Sequence, residues 1–409
     1  MESHSIDLKN KNKRGSAMRK YWKKLLVLFY LFLFLIVITG CWDNLDITDR
    51  AFVSAIGLDK GKNGQVEVTL QIIKPNVIRE SRQGGSGESV IWSFTTTGET
   101  VFDGIREQLK TVNRKPFYSH IRLIIIGEDL AREGVRDILD FFVRDQEIKI
   151  TPKLLVTRNV KAKEIVNATS LLEVIPALHL EGILENNISE AKTRNVEFIK
   201  VLQELTAPHA SGVIGSVMSS NKAQITQIKD LEIEGAGVLK KDRLVGFLDE
   251  NQIRGYLWIK DEIKGGVMVI ENPIEKGKKI TIEIKESTGK IDAEIGSGEL
   301  ILKIQVKMLG SINEYQGSRY IESGKLINLI EKAVEREIES NVEETIKVAQ
   351  KEFKIDFIGF GNKVFQHYNN YWEEISENWD EVFSQLPVEI SVDATIRRTG
   401  ITEKPIPIR

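Results

Sequence analysis

Residues 51–74, AFVSAIGLDKGKNGQVEVTLQIIK, hold two β-rich runs, Ala51–Lys60 and Gln65–Lys74, on either side of Gly61-Lys62-Asn63-Gly64. Glycine and asparagine tolerate the positive φ that a tight reversal needs, so the stretch predicts an antiparallel hairpin. Beyond it, Ser81–Ser89, SRQGGSGES, reads as a loop by composition, and Val90–Thr95, VIWSFT, as a further strand. A helix is expected from about Glu99 to Lys110. Ser119–Gly127, SHIRLIIIG, is a short apolar run suited to a buried strand, and Glu128–Arg144 then puts Leu130, Val135, Ile138, Leu139 and Phe142 on one helical face. Lys153–Thr157 supplies another strand. Hairpins alternating with helices, instead of repeated βαβ units, indicate an α+β chain.

The pattern turns mainly helical from Ala162 to Leu205, and Pro208 marks a boundary. A smaller unit follows with strands at Leu231–Leu239 and Arg243–Leu248, the turn Lys240-Lys241-Asp242 between them, and Trp258 closing its core. After Ile263, strands at Gly266–Ile270, Lys279–Glu286, Lys290–Glu294 and Glu299–Leu309 predict an antiparallel sheet. The longest helix spans Lys325–Phe353, with Leu326, Ile330, Val334, Ile338, Val342, Ile346, Ala349 and Phe353 in a stripe on which a sheet should pack. Val388–Arg397 alternates and returns as a strand. The expected organisation is a leader at 1–40, then three mixed α/β domains at 41–207, 208–262 and 263–409, with mainly antiparallel sheets and the last sheet packed on the long helix.

The leader is read from residues 18–41, MRKYWKKLLVLFYLFLFLIVITGC. Arg19, Lys20, Lys23 and Lys24 precede an apolar run from Leu25 to Ile38, short of the roughly 20 residues that a spanning helix needs. Ile38-Thr39-Gly40-Cys41 fits a lipoprotein cleavage pattern, with the cut between Gly40 and Cys41 and a diacylglyceryl thioether on Cys41, the chain's only cysteine. One thiol permits neither an internal disulfide nor a cysteine metal cage, whereas a thioether needs a single sulfur. Met18 also begins a segment of ordinary signal length, so it is an alternative start. Removing residues 1–40 takes eight basic and two acidic side chains from totals of 57 and 59, leaving 49 against 57, a charge of −8. Such a chain has no electrostatic basis for binding nucleic acid and is repelled by an anionic membrane surface, so its attachment should rest on the lipid.

A search for chemistry yields no catalytic set, no metal site and no cofactor. His4, His120, His179, His209 and His367 are scattered, with no pair at ligand spacing. His120, ahead of an apolar strand, is read as a structural, hydrogen-bonded histidine. Gly84-Gly85-Ser86-Gly87 and Gly235-Ala236-Gly237 lack the Gly-Lys-Ser/Thr ending or the full dinucleotide spacing, and read as a loop and a tight turn. Asp43, Asp46 and Asp49 recur every third residue, whereas a calcium loop alternates its oxygen ligands every second residue. They read as an acidic tether. Glu373-Glu374 lies on a solvated helix face, and Trp372 and Trp379, seven apart, share a helix face as core packing.

Gly40-Cys41-Trp42-Asp43 with Ala51-Phe52-Val53 and Ile56-Gly57-Leu58-Asp59-Lys60 resembles the opening of the Ger(x)C family, the lipoprotein C subunits of bacterial spore germinant receptors. Three later stretches agree in order. They are Tyr118–Ile121 leading to Gly127–Gly134 and Arg144-Asp145, then Gly235–Gly237 with Leu244–Gly246, and finally Asp356–Gly361 through Trp372, Trp379 and Arg397–Gly400. One departure is the region of Asn369, where the family pattern has a proline. The resemblance implies a non-enzymatic subunit of three mixed α/β domains, lipid-anchored at the outer face of the inner spore membrane. Its implied partners are two integral-membrane receptor subunits, one transporter-like and one multi-spanning, and its implied role is nutrient sensing. An alternative from export and anchoring alone is a lipid-anchored solute-binding protein of a transporter, although that class should show two lobes of repeated βαβ units.

Overall fold

The computed structural model describes residues 20–32, 50–74, 89–112, 114–168, 173–187, 190–208, 211–220, 230–296, 298–318 and 324–398. Residues 20–32 are helical and, among the described residues, no helix is long and apolar enough to cross a membrane.

From Arg50 the chain builds a nine-stranded sheet and then a four-stranded one. In the first, β1 (Arg50–Lys60), β2 (Val66–Ile73) and β3 (Ile91–Gly98) form the expected meander, turned at Asn63 with φ 54°. Helix α1 (Val101–Gln108) is capped by the Thr100 hydroxyl, and β4 (Lys115–Phe117) pairs with β1. Next come β5 (Leu123–Ile126), α2 (Glu128–Glu133), α3 (Arg136–Arg144) and β6 (Lys153–Thr157), then α4 (Ala162–Val166), α5 (Pro176–Asn187) and α6 (Phe198–Leu205). Strands β7 (Ser211–Ser220), β8 (Asp230–Lys240) and β9 (Arg243–Leu248) complete the order β3-β2-β1-β5-β6-β7-β8-β9.

The centre of this sheet is parallel, β1 to β5, β5 to β6 and β6 to β7. Parallel strands need crossover helices, and these cover both faces. Ile124 and Ile126 pack with α1, α2, α3 and α6, while Leu123 and Ile125 pack with α4 and α5. That is why Leu123-Ile124-Ile125-Ile126 is apolar without alternation: all four side chains are fully buried.

The second sheet contains β10 (Gly266–Glu271), β11 (Lys279–Gly296), β12 (Glu299–Tyr315) and β13 (Val388–Arg398) in that order. Its inner face packs on α7 (Glu250–Ile259) and on α8 (Gly324–Lys347), which ends in a π-helical turn, Val348–Phe353. The predicted stripe from Leu326 to Ala349 is buried and Phe353 is half-buried. Short helices α9 (Phe360–His367), α10 (Asn369–Ile375) and α11 (Trp379–Phe383) lead to β13, which runs parallel to β12.

The result is the mixed α+β fold expected from periodicity, with several local differences. The single helix over 128–144 is two, broken at Gly134 (φ 148°), because the Val135 N–H donates to the Asp242 carbonyl at 2.7 Å instead of continuing the helix. The two strands expected over 279–294 are one: Gly289 stays extended where a Cβ would lie 1.9 Å from the Trp258 carbonyl oxygen. Gly235-Ala236-Gly237 is no turn but the middle of β8, with Gly235 at φ 72° where the pairing to β7 slips by a residue. Trp258 closes its core from a helix. Trp372 and Trp379 occupy separate short helices yet meet at 5.3 Å. Strands β7, β8 and β9 extend the first sheet across Pro208 and form no sheet of their own.

Candidate functional site

Strands β1, β5 and β6 end side by side, and the segments leaving them line a polar crevice of about 350 Å³ that includes Asp59, Lys60, Glu128, Asp129, Asn159 and Glu164. Carboxyl ends of parallel strands are where open α/β sheets take ligands. Here two of the carboxylates are spent on the chain itself. Asp59, 3% exposed, accepts from Ala162 N (2.8 Å) and Lys163 N (2.9 Å) and so closes the first turn of α4. Burial pushes the Asp59 carboxyl above the usual carboxylate range, outweighing those two donors. Glu128 accepts from Asn159 N (3.0 Å) and from Arg132 Nη2 (2.7 Å), while its own N–H donates to the Thr157 hydroxyl (3.1 Å). Lys60 pairs with Glu133. At Gly127 a Cβ would lie 2.3 Å from Asp59 Oδ1, so a larger residue would dislodge that carboxylate. The stretches Gly57–Lys60 and Gly127–Gly134 therefore form a latch that joins β1 to the turns after β5 and β6.

The later signature is a second corner of the same kind. Asp356, fully buried, accepts from Gly359 N (2.8 Å), Phe360 N (3.1 Å), Gly361 N (2.6 Å) and Trp379 Nε1 (3.0 Å). One carboxylate thus satisfies the free N–H groups at the start of α9 and anchors a tryptophan from α11. A Cβ at Gly361 would meet Trp379 Nε1 at 2.9 Å and Trp372 Cη2 at 3.0 Å. The Ser211 hydroxyl donates to the Asp356 carbonyl at 2.7 Å, which ties this corner to β7.

A third cluster has no sequence signal. Arg194 is fully buried and forks to Glu204 (Nη2 to Oε1, 2.6 Å) and to Glu262 (Nη2 to Oε1, 2.7 Å; Nε to Oε2, 2.8 Å). It also donates to the Val213 carbonyl at 2.8 Å, and its guanidinium carbon lies 5.1 Å from the Tyr256 ring centre. Burial would raise the Glu262 carboxyl, but the charges and hydrogen bonds of Arg194 and Lys200 overcome it and bring it to about 2. Nearby Lys260, half-buried and held below the usual lysine range by desolvation, donates to the Ile358 carbonyl at 2.9 Å.

Gly40 and Cys41 lie outside the described residues, as do His4, His209, Asp43, Asp46, Asp49 and Gly84–Gly87. His120 is exposed, its ring 5.4 Å from those of Phe52 and Phe117; His367 Nδ1 lies 3.4 Å from Asp292 Oδ1; His179 is on α5. The described histidines thus sit on separate elements. Among the described residues no group of three or more His, Cys, Asp or Glu side chains could hold a metal ion.

Residues 43–217 match the spore germination protein N-terminal domain, and residues 234–400 match the spore germination B3/GerAC like, C-terminal domain. The chain belongs to the Ger(x)C family of spore germination proteins. Among Ger(x)C proteins it is similar to spore germination protein KC of Bacillus subtilis (strain 168), 29% identical over 405 residues that cover 94% of this chain and 98% of that one. It is similar also to spore germination protein B3 of the same organism, 26% identical over 385 residues, with 91% and 98% covered. The crystal structure of the GerBC protein shares the Ger(x)C fold at a TM-score of 0.52 and 23% identity, covering 86% of this chain and 99% of that one. The first latch lies in the N-terminal matched region and the Asp356 corner in the C-terminal one. Arg194 and Glu204 belong to the former, Tyr256 and Glu262 to the latter, so the buried cluster fastens the two together.

Proposed function

We propose that this chain is the lipid-anchored C subunit of a nutrient germinant receptor and acts by assembly with integral-membrane subunits at the outer face of the inner spore membrane, without catalysing a reaction. The observation that carries the reading is similarity to spore germination proteins over nearly the whole chain, with the N-terminal domain match beginning at residue 43, two residues behind Cys41. Cleavage between Gly40 and Cys41 leaves the thiol as the first residue for acylation, and a second or third acyl chain makes the attachment stable. The mature charge of −8 offers the bilayer no attraction, so the lipid supplies the membrane affinity. Confinement to the membrane raises the effective concentration of the folded part beside its partners. The non-enzymatic role accords with the signature carboxylates Asp59, Glu128 and Asp356, which serve as acceptors for the chain's own donors.

The test is isolation of spore membranes carrying either the wild-type chain or Cys41→Ala, followed by recovery of the chain with its integral-membrane subunits. Wild type should sediment with the membrane and co-isolate with them, and Cys41→Ala should leave that fraction. A Cys41→Ala chain that remains membrane-bound and co-isolates normally would refute the anchoring role.

A further inference from the structure

A cleft of about 190 Å³ opens beside the Arg194 cluster, where the two matched regions meet. Thr193, Asn195 and Lys200 line it from the N-terminal region, and Leu257, Glu262 and Lys264 from the C-terminal one. Its polar groups are unequally engaged. Both Glu262 oxygens are taken: Oε1 accepts from Arg194 Nη2 (2.7 Å) and Lys200 Nζ (2.5 Å), and Oε2 accepts from Arg194 Nε (2.8 Å). Thr193 Oγ1 donates to the Gly235 carbonyl at 2.7 Å. Asn195 differs from these. Its Nδ2 donates to the Leu184 carbonyl at 3.3 Å, whereas its Oδ1 is buried and accepts from no described residue. A buried acceptor without a donor is unfavourable, so this oxygen calls for a donor from within the cleft. Lys264 is exposed and directs its Nζ to the Asp261 carbonyl at 2.9 Å, so it and Lys200 each keep N–H donors to spare. The charged side chains of the lining are two lysines and one glutamate already engaged by Arg194, which leaves the cleft a positive surplus.

We propose that this cleft binds a small carboxylate that carries a hydroxyl group, with the carboxylate at Lys264 and Lys200 and the hydroxyl donating to Asn195 Oδ1. The surplus of positive charge calls for an anion, and the unpartnered amide oxygen calls for a neutral donor. An ammonium group in place of the hydroxyl would bring a charge that no free carboxylate of the lining can meet, because both Glu262 oxygens are taken. Leu257 and Ala191 give the wall a short apolar stretch for the rest of the molecule. At about 190 Å³ the cleft lies below the ~300 Å³ at which drug-sized pockets begin, which limits the ligand to a few carbon atoms. A ligand held there touches both matched regions and stabilises their junction.

The test is a saturation-transfer NMR titration of the full-length chain in detergent with three probes of similar size. These are lactate, propionate, which lacks the hydroxyl, and alanine, which replaces it with an ammonium group. Lactate should bind in the millimolar range, and each of the other two about tenfold more weakly. Lys264→Gln, a change at an exposed position that spares the core, should weaken lactate several-fold. Asn195→Leu, close to asparagine in shape, should abolish the preference for lactate over propionate. Should that variant fold poorly, the three probes on the wild-type chain and the Lys264→Gln titration still decide the matter. Absence of lactate binding would overturn the proposal and leave Asn195 Oδ1 to water. Propionate or alanine binding as tightly as lactate, or lactate binding unchanged in Lys264→Gln, would equally overturn it.

Discussion

Arg194 is fully buried and shared between Glu204 and Glu262. Its replacement by alanine would leave two partly buried carboxylates without their partner, and loss of one member of a fully buried ion pair costs about 3–5 kcal/mol, an upper bound here. Thermal unfolding of Arg194→Ala should show a correspondingly lower Tm. The Glu262 carboxyl is depressed from 4.5 to about 2 in the folded state, so its contribution is fully present above pH 4.5 and disappears as pH falls toward 2. Denaturant titrations across that range should show stability falling for wild type and a shallower fall for Glu262→Gln. Nothing in the sequence marks Arg194, because its partners are 10 and 68 residues away and arginine is common in this chain. The expectation at Cys41 has the opposite basis: the basic, apolar and small-residue pattern from which it is read is contiguous. Asp59 and Asp356 stood out only as parts of motifs, and their work as backbone acceptors required the fold.

At the scale of elements, the stripe of α8 and the alternation of β13 were plain from spacing, whereas the parallel pairing of β12 with β13 was not, because alternation fixes the face of a strand and leaves its neighbour open. The break at Gly134 was hidden inside a good helical pattern, since the tertiary partner that breaks it, Asp242, is over a hundred residues away. The crossing of α7 and α8 depends on one glycine. A Cβ at Gly255 would lie 2.1 Å from the Asn341 carbonyl oxygen and 2.2 Å from Thr345 Oγ1, beside the bond from Thr345 to the Gln252 carbonyl (2.7 Å). Overpacking of this kind costs about 1–3 kcal/mol or more. Gly255→Ala should lower Tm, and an unchanged melting curve would show that α7 and α8 can separate without cost.

At the scale of the whole molecule, the two matched regions are joined by the ionic cluster around Arg194 and by Ser211 bonding to Asp356, so they should unfold as one cooperative unit. The α+β class and most of the strands were legible because local patterns determine them, whereas β4 and β7 had no expected counterpart. The continuity of the first sheet through β7 to β9 was not, because Pro208 resembles a boundary in sequence while the β6 to β7 pairing is a long-range fact. The germination role rests on likeness to a family and is decided in spores. Dipicolinic acid release should be measured from spores lacking this gene, triggered once by a nutrient mixture and once by dodecylamine, which bypasses receptors. The account predicts loss of the nutrient response alone, restored by the wild-type chain and not by Cys41→Ala; a normal nutrient response in the deletion, with no redundant receptor present, would contradict it.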